Sequence, residues 1–395
     1  IGFDSLCAQE RPDKRSTKPH QLPIYATSSF EFENLEQGAR IFKGEEAGHV
    51  YGRFGNPTID AVAEKLALLE AHGIDTEAHA LLVSSGMSAV ATLMLALLKQ
   101  GDKILTQGNL YGGTTELFAK VLQPLGIEPL IADLTELDAV EARLRADERI
   151  RLLYYETPAN PTLACVDIGG LSNIAHRHGR LSIADNTFCT PYVQQPLLHG
   201  ADYVIHSTTK YLNGHGNGIA GVIIGRDPTM MRDRIFTTMK LAGTNSNAWD
   251  AWLINNGLKT LALRMERHCR NAQAVAEFLN RHSAVRSVNY PGLSSHPDHE
   301  LATRQMKAFG GMLSFELQGG LEAGRRFMNR LRLCTLAPTL GDVDTIVLHP
   351  ATMSHINVDP TVRQRFGITD GLVRISVGIE SVEDIIGDLE QAMKD

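Results

Sequence analysis

The stretch HALLVSSGMSAVATLMLALL, residues 79–98, contains the pattern that decides the fold: an apolar strand, a turn of small residues and an apolar helix. Similar short apolar runs recur along the chain and alternate with stretches that have apolar residues at helical spacing. The predicted strands are HALLVSS, DKILTQG, IEPLIADL, RLLYYET, LSIADN, DYVIHST and AGVIIG. Strand–helix alternation of this kind favours a mostly parallel sheet with helices on both faces.

The alternation extends from about residue 61 to about residue 250, and different patterns flank it. Residues 1–60 show little periodicity and carry turn formers, which predicts an extended N-terminal arm that contacts a neighbouring subunit. On the C-terminal side of the alternating region, a long helical segment at 248–282 leads to the strand-like runs VRSVNYPG, GGMLSFELQGG and LVRISVGIE. We therefore predict an α/β fold, with a large domain over 61–250 and a smaller C-terminal α/β domain with an antiparallel sheet over 251–395.

The composition argues against several classes of function. The 395-residue chain has a formal net charge of −7 and no long basic run, so nucleic acid is not an expected partner. No apolar segment reaches the roughly 20 residues that a membrane span needs, and the first residues resemble no secretory signal. The five cysteines are an odd number without CxxC spacing. They indicate reduced thiols of a cytoplasmic protein rather than a disulfide framework or a metal site.

Residues that follow the predicted strands are candidates for chemistry, because ligands bind beyond the carboxyl ends of parallel strands. Ser85, Gly86 and Met87 lie where the first strand runs into a helix, and the backbone N–H groups of a helix start suit a phosphate. Taken alone, such a turn is more often only a tight connection. Asp185 ends the strand of LSIADN, where it is either a turn residue or the carboxylate partner of a protonated ring nitrogen.

Lys210 ends the run DYVIHSTTK, in which Ser207 and Thr209 lie on one face of the strand. Two hydroxyls can complete a phosphate site, and a partly desolvated lysine beside them can lose its proton and form a Schiff base. An isolated lysine in this place is more often a solvated charge. Here a phosphate cradle, an acid for a ring nitrogen, two hydroxyls and an amine fall at consecutive strand ends, and together they fit pyridoxal phosphate.

Four further residues have two interpretations each. Tyr111, in the turn NLYGG, either stacks on a cofactor and exchanges a proton, or is an amphipathic turn residue. Arg374, in LVRISVGIE, either binds an amino-acid carboxylate with its planar fork or is an ordinary exposed strand arginine. Tyr51 and Arg53 could reach a phosphate across a subunit boundary, but from the residues alone they are loop positions.

The residues resemble the Cys/Met-metabolism family of pyridoxal-phosphate (PLP) enzymes, which includes methionine γ-lyase, the cystathionine enzymes and the homoserine-ester sulfhydrylases. The resemblance covers nearly the whole chain. Its motifs are YGRFGNPT, SSGMSA, NLYGG, ETPANPT, ADNTFCTPY, HSTTKYLNGHG, HPATMSH and GITDGLVRISVGIE. It implies the aminotransferase-like fold type I and a homotetramer of two tight dimers, in which each active site is shared between two chains.

Position by position, the resemblance implies a role for each residue. It identifies Lys210 as the Schiff-base lysine, Asp185 as the ring-nitrogen partner and Tyr111 as the stacking tyrosine. The phosphate ligands that it implies are Gly86, Met87, Ser207 and Thr209, with Tyr51 and Arg53 given to the phosphate of the adjacent subunit. The substrate-carboxylate site that it implies consists of Asn160, Arg374 and, by backbone or hydroxyl, Thr339.

Within the family, the segments MERHC, YPGLSSHP, GGLEAGRRFMN and GITDGLVRISVG resemble methionine γ-lyases most. The expected reaction is therefore γ-elimination of L-methionine to 2-oxobutyrate, ammonia and methanethiol. Two positions depart from those lyases: Gly113 stands in place of a Cys, and Leu241 follows Lys240 in place of an Asp. Pro338 stands where cystathionine enzymes usually have Glu, so a polar substrate tail loses a partner.

Alternative functions stay open at this point. The YGG turn is common among cystathionine enzymes and sulfhydrylases, so one alternative is γ-replacement on O-acetyl- or O-succinylhomoserine, and another is cystathionine γ-lyase or γ-synthase activity. A non-catalytic cofactor carrier is disfavoured because the Lys, Asp, Tyr and Arg positions are all filled. A nicotinamide dehydrogenase is disfavoured because the chain lacks a GxGxxG turn after an early strand.

Overall fold

The computed structural model describes residues 2–9, 19–354, 356 and 360–394 of the chain. Parts of two predicted features, residues 10–18 of the arm and the last residue of HPATMSH, lie outside these residues. The helices within them are α1 Phe3–Ala8, α2 Leu35–Lys43, α3 Pro57–Glu70, α4 Gly86–Leu97, α5 Gly112–Leu117, α6 Leu137–Ala146, α7 Ile168–Arg177, α8 Thr190–Val193, α9 Phe236–Ala242, α10 Ala248–Leu258, α11 Leu261–Arg281, α12 His299–Gln305, α13 Gly320–Arg330, α14 Pro360–Arg365 and α15 Val382–Met393.

The larger of two sheets contains the seven strands that the alternating pattern predicts. They are β1 His79–Val83, β2 Lys103–Thr106, β3 Glu128–Ile131, β4 Ile150–Glu156, β5 Leu181–Asp185, β6 Tyr203–His206 and β7 Gly221–Gly225. Their order is β1-β7-β6-β5-β4-β2-β3. The strands from β3 to β6 are parallel, and β7 pairs antiparallel with both β6 and β1. The prediction of a mostly parallel sheet is confirmed.

The smaller sheet has five strands and is mainly antiparallel. They are β8 Val285–Asn289, β9 Met312–Leu317, β10 Thr335–Leu336, β11 Ile346–Leu348 and β12 Leu372–Ser376, in the order β10-β11-β12-β9-β8. Only β10 and β11 pair in parallel. The sequence did not predict β10 and β11, because strands of two and three residues are too short to show an alternation. The domain boundaries near residues 60 and 250 stay predictions.

The inner strands of the larger sheet, β2, β4, β5, β6 and β7, are largely buried on both faces, which explains their nearly continuous apolar sequences, whereas the edge strands β1 and β3 are less buried. Along β4, Leu152 and Tyr154 pack into one apolar cluster, whereas Leu153 and Tyr155 pack into another on the opposite face. Helices that pack on both faces leave the strand ends as the place where polar side chains gather. This arrangement puts the candidate site at the carboxyl edge of the sheet.

The single long helix predicted over 248–282 is wrong in one respect: it is two helices, α10 and α11, separated at Lys259 and Thr260. Near the end of α10, a Cβ on Gly257 would lie 2.1 Å from the backbone oxygen of Asn213, so only glycine permits this contact. From α11, Arg264 donates hydrogen bonds to the backbone oxygens of Tyr211 and Gly257, both at 2.7 Å. The break therefore docks both helices on the segment that follows Lys210.

All five cysteines are free and buried. Burial raises the pKa of the Cys7 thiol to about 11 and that of the Cys269 thiol to about 12, so these thiols stay protonated near neutral pH. Among the residues that the structure describes, no helix is both long enough and apolar enough to span a membrane.

Candidate active site

The carboxyl ends of β1, β4, β5 and β6 border one cavity of about 270 Å³. Ten of the residues predicted from the sequence line it: Ser85, Gly86, Met87, Tyr111, Asn160, Asp185, Ser207, Thr209, Lys210 and Arg374. The cavity also contacts Pro338 and Leu340, which lie before β11 of the smaller sheet. Both sheets thus contribute to a single site, as the positions of the motifs predict.

One end of the cavity is formed by the start of α4. Ser85 caps this helix, because its Oγ accepts the N–H of Ser88 at 3.0 Å. A Cβ on Gly86 would lie 2.7 Å from the Cβ of Ser207, so a glycine is needed for the helix start to approach the end of β6. The free N–H groups of the first helical turn and the Ser207 hydroxyl therefore face the same small volume, which suits an oxyanion.

Asp185 is held by its neighbours at the end of β5. Its Oδ1 accepts the Thr187 hydroxyl at 2.6 Å and the Thr187 N–H at 3.0 Å, and its Oδ2 accepts the Tyr154 hydroxyl at 3.4 Å. Burial raises the pKa of Asp185 above its usual range, against the hydrogen bonds from Thr187. A cation bound beside this carboxylate would stabilise its ionised form.

Hydrogen bonds connect the Asp185 carboxylate to the end of the cavity that suits a phosphate. Thr187 Oγ1, which donates to Asp185, accepts the N–H of Ser207 at 2.9 Å. Thr209, two residues after Ser207, donates its hydroxyl to the backbone oxygen of Ala220 at 3.2 Å. Hydrogen bonds through Thr187 therefore fix the carboxylate relative to Ser207, and the close approach of Gly86 to Ser207 places the helix start beside them.

Lys210 projects its amine into the cavity without a carboxylate partner in contact. Its Nζ donates to Thr339 Oγ1 at 3.0 Å. Burial, and then the positive charge of Arg374, lower the pKa of Lys210, while the more distant Asp342 acts in the opposite direction. The arrangement makes the neutral, nucleophilic amine more accessible than in a solvated lysine.

Asn160, Thr339 and Arg374, predicted as the substrate-carboxylate site, are in contact. Arg374 donates from Nη1 to Asn160 Oδ1 at 3.1 Å and from Nη2 to the Thr339 backbone oxygen at 2.9 Å. Its Nε has no hydrogen-bond partner in the described structure, and burial lowers the pKa of the side chain to about 10. A buried guanidinium with an unused donor is suited to an incoming carboxylate.

Tyr111 lies over the cavity from the turn before α5, with half of its surface exposed. Its N–H donates to Glu156 Oε1 at 2.8 Å and Oε2 at 3.0 Å. A Cβ on Gly113 would lie 2.6 Å from the Tyr111 ring, so the ring packs on the backbone of this glycine. Glu156 and Thr187 were not identified from the sequence as site residues, although they belong to the motifs ETPANPT and ADNTFCTPY.

Tyr51 and Arg53 do not line the cavity of their own chain. Arg53 donates to the backbone oxygen of Lys240 at 2.6 Å, and its guanidinium carbon lies 5.0 Å from the ring centre of Phe54. Tyr51 is 43% exposed. Within one chain these two residues are therefore separate from the other predicted phosphate ligands.

Comparison with known proteins explains why these groups occur together. A family model described as "Cys/Met metabolism PLP-dependent enzyme" matches residues 4–394. The chain belongs to this family. Its members depend on PLP, and the residues present fit that group: a glycine-lined helix start with hydroxyls for a phosphate, a fixed carboxylate for a ring nitrogen, and an amine with a lowered pKa.

Individual members of the family are similar over nearly the whole chain. An L-methionine gamma-lyase of Fusobacterium nucleatum subsp. polymorphum is 48% identical over 94% of this chain and 93% of its own length. An O-succinylhomoserine sulfhydrylase of Pseudomonas aeruginosa is 39% identical over 99% of this chain and 95% of its own length. The crystal structure of a cystathionine gamma-lyase from Lactobacillus plantarum superposes with a TM-score of 0.91 at 36% identity, covering 99% of this chain and 98% of the other. The resemblance and the fold type predicted from the motifs are confirmed.

Proposed function

We propose that this PLP-dependent enzyme is a carbon–sulfur lyase that converts L-methionine and water to 2-oxobutyrate, ammonia and methanethiol. The observation that supports this most directly is the contact set of Arg374, Asn160 and Thr339 beside the Lys210 amine. Such a set would fix an amino acid by its carboxylate and leave its Cα next to a base. The 48% identity to an L-methionine gamma-lyase supports the choice of substrate.

The residues that would hold the cofactor follow from the geometry of the cavity. The start of α4 at Gly86 and Met87, capped by Ser85, would bind the phosphate together with Ser207 and Thr209. Asp185 would pair with the ring nitrogen and Lys210 would hold the cofactor covalently. When bound, PLP supplies an electron sink that stabilises negative charge on the adjacent substrate carbons.

The chain's own residues would then carry the proton transfers. Lys210, with its lowered pKa, would accept the Cα proton of the substrate that Arg374 and Asn160 hold in place. Tyr111 lies at the open side of the cavity, where its hydroxyl could donate a proton to the departing sulfur. Removal of a second proton, from Cβ, must precede loss of the γ substituent, and we assign this step to Lys210 as well.

The walls of the cavity favour an uncharged substrate tail. Lys210 and Arg374 are the cationic side chains among the described residues that line it, and both have roles at the amino-acid end. Ile219, Pro338 and Leu340 present apolar surface elsewhere. A methylthio group can be buried against such surface, whereas the charged end of cystathionine or of a succinyl ester would lack a partner from this chain.

γ-Replacement is the second candidate, with O-acetyl- or O-succinylhomoserine as donor and a thiol as acceptor. It is favoured by the 39% identity to an O-succinylhomoserine sulfhydrylase and by the Tyr111-Gly112-Gly113 turn. Cystathionine γ-lyase or γ-synthase activity is a further alternative, favoured by the similarity of the fold to a cystathionine gamma-lyase. The few side chains of the cavity do not by themselves separate elimination from replacement.

One experiment separates these candidates. The purified holoenzyme is incubated with methionine, cystathionine, O-acetylhomoserine and O-succinylhomoserine, each with and without a thiol, and 2-oxobutyrate and thioether products are quantified. Oxoacid from methionine without added thiol supports the lyase. Thiol-dependent product from an ester, with no oxoacid from methionine, would replace the lyase by the sulfhydrylase.

We also propose that the enzyme works as a cytoplasmic homotetramer, a dimer of dimers with shared active sites. The separation of Tyr51 and Arg53 from the cavity supports a role at the phosphate of a neighbouring subunit, where both would complete the site. Large apolar side chains at Leu241, Trp249 and Leu263 are 74%, 59% and 70% exposed in the single chain, which favours burial against other copies. Analytical ultracentrifugation tests the assembly, and a monomer with full activity would refute it.

A further inference from the structure

We propose that Glu156 is a positioning residue, which holds Tyr111 over the cavity through the backbone of the Tyr111 turn. Glu156 is the last residue of β4 and is 6% exposed. Both of its carboxyl oxygens accept the same N–H, that of Tyr111, at 2.8 and 3.0 Å. Tyr111 itself is half exposed, and this contact ties its backbone to a buried carboxyl group. This inference rests on the proposed function only where kcat and KM for methionine are used to test it.

The position of Glu156 in the sheet explains what the contact fixes. Glu156 pairs with Asp185 across β4 and β5, and Asp185 is in turn held by Thr187. Gln107, the residue after β2, donates to the Glu156 backbone oxygen at 3.1 Å. Glu156 therefore links the turn that carries Tyr111 to the strands β4 and β5, and β5 ends in Asp185, the predicted partner of the ring nitrogen. A shift of Glu156 would move the Tyr111 ring relative to Asp185.

The geometry places Glu156 as a hydrogen-bond acceptor, because both of its oxygens lie on the Tyr111 N–H. Burial, and then the negative charge of Asp185, raise the pKa of Glu156 well above its usual range. The N–H groups of Tyr111 and Asn160 act in the opposite direction on Glu156, as the Thr187 hydrogen bonds do on Asp185. A neutral acceptor of the same length should therefore replace Glu156, whereas a shorter acid should not.

The test compares Glu156→Gln with Glu156→Asp in the holoenzyme. Glutamine keeps an acceptor at the same distance from the backbone, whereas aspartate keeps the acid but draws it back from the Tyr111 N–H. We expect Glu156→Gln to stay within about threefold of the parent kcat, and Glu156→Asp to lose about tenfold in kcat with a smaller change in KM. The reverse order of the two variants would show that the charge matters and would overturn the proposal.

A second readout does not depend on turnover. The visible circular dichroism of the bound cofactor, measured without substrate, reports how asymmetrically the protein holds it. We expect the parent band in Glu156→Gln and an altered band in Glu156→Asp. If the parent enzyme fails to act on methionine, the proposed function fails, yet the dichroism still tests Glu156. A parent-like band in Glu156→Asp, or a strongly altered band in Glu156→Gln, would contradict the proposal even if one variant folds poorly.

Two controls separate positioning from general stability. Asp388 is also a buried carboxylate that accepts backbone N–H groups, those of Arg332, Leu333 and Cys334, but it does not line the cavity. Asp388→Ala should lower the melting temperature and leave the dichroism and kcat of the folded enzyme near those of the parent. In a Tyr111→Phe background, the further loss from Glu156→Asp should shrink to below about threefold, because both changes act on one group. Equal losses in both backgrounds would contradict positioning through Tyr111.

Discussion

Two lysines at opposite edges of the larger sheet have opposite electrostatic environments. Lys103, at the start of β2, lies with its Nζ 2.9 Å from Glu128 Oε2 and 3.1 Å from Asp147 Oδ2, and these hydrogen bonds raise its pKa. Lys210, just beyond the carboxyl end of β6, donates to a hydroxyl, and burial lowers its pKa. The difference is that carboxylates neutralise one lysine and none contacts the other.

The comparison indicates what each edge of the sheet is built to do. At the amino edge, the ion pairs of Lys103 join β2 to β3 and to the end of α6, and they contribute to the stability of the fold. At the carboxyl edge, an unpaired amine in a partly desolvated cavity costs stability but can act as a nucleophile or base near neutral pH. Changes at the two edges should therefore be seen in different measurements.

The largest expected effect is that of Lys210→Ala. Without the amine, the enzyme loses both its covalent cofactor link and its proton acceptor, so kcat should fall by at least about a thousandfold. Steady-state assays of 2-oxobutyrate release measure this, and borohydride reduction followed by mass spectrometry of the parent should locate the cofactor on Lys210. Activity within tenfold of the parent, or no adduct at Lys210, would refute the assignment.

Lys103→Ala is the matched control for that substitution. It removes a lysine at the amino edge of the larger sheet that does not line the cavity, so kcat should stay within about twofold of the parent while the melting temperature falls. A large loss of kcat in the folded Lys103→Ala enzyme would mean that the two edges are not functionally distinct, and the comparison would fail.

The sequence predicts the fold well where strands are apolar runs bounded by turns. All seven strands of the larger sheet were placed from apolar runs and from the turns between them. Predictions failed where tertiary contacts decide the structure. The break between α10 and α11 depends on the close approach of Gly257 to Asn213, and helical periodicity continues through it. The two-residue strand β10 exists only because Thr335 and Leu336 pair with β11.

For the site, the sequence predicted which residues lie together because strand ends are adjacent in a parallel sheet. Glu156 belongs to the motif ETPANPT, but the sequence did not single it out, since a glutamate at a strand end has many possible structural roles until its distance to the Tyr111 N–H is known. The roles of Tyr51 and Arg53 also stay predictions, because they depend on a second subunit. The sequence alone does not show how side chains that are far apart along the chain contact each other, such as the hydrogen bond from Arg374 to Asn160.

The second-largest effect is expected for Arg374→Lys. Lysine keeps the positive charge that lowers the pKa of Lys210, but it cannot reach Asn160 and Thr339 with a planar fork while it binds a carboxylate. We expect kcat/KM for methionine to fall about a hundredfold, mostly through a higher KM. The cofactor absorbance should be unchanged, which checks that the rest of the site is intact. An unchanged KM would remove Arg374 from the substrate-carboxylate site.

A smaller effect is expected for Asp342→Asn. The negative charge of Asp342 opposes the lowered pKa of Lys210, so its removal should lower that pKa further. The rate at which cofactor-free protein takes up PLP should rise with pH as Lys210 loses its proton. In the variant, the inflection should move to lower pH. Asp344→Asn, a nearby exposed carboxylate, should leave the inflection in place. A shift to higher pH would contradict the electrostatic account of the lysine.

The smallest effect is expected for Glu128→Gln at the amino edge. Glu128 is one of two carboxylates that contact Lys103, and its side chain is 51% exposed, against 22% for Asp147. An exposed partner contributes less than about 1 kcal/mol, so the melting temperature should fall by no more than about 2 °C and kcat should not change. The same substitution at Asp147 should cost more, because Asp147 also accepts hydrogen bonds from Arg149 at 2.9 and 2.8 Å. If Glu128→Gln is as destabilising as Asp147→Asn, partner exposure does not rank the two contacts, and the stabilising role of the Lys103 pairing needs another explanation.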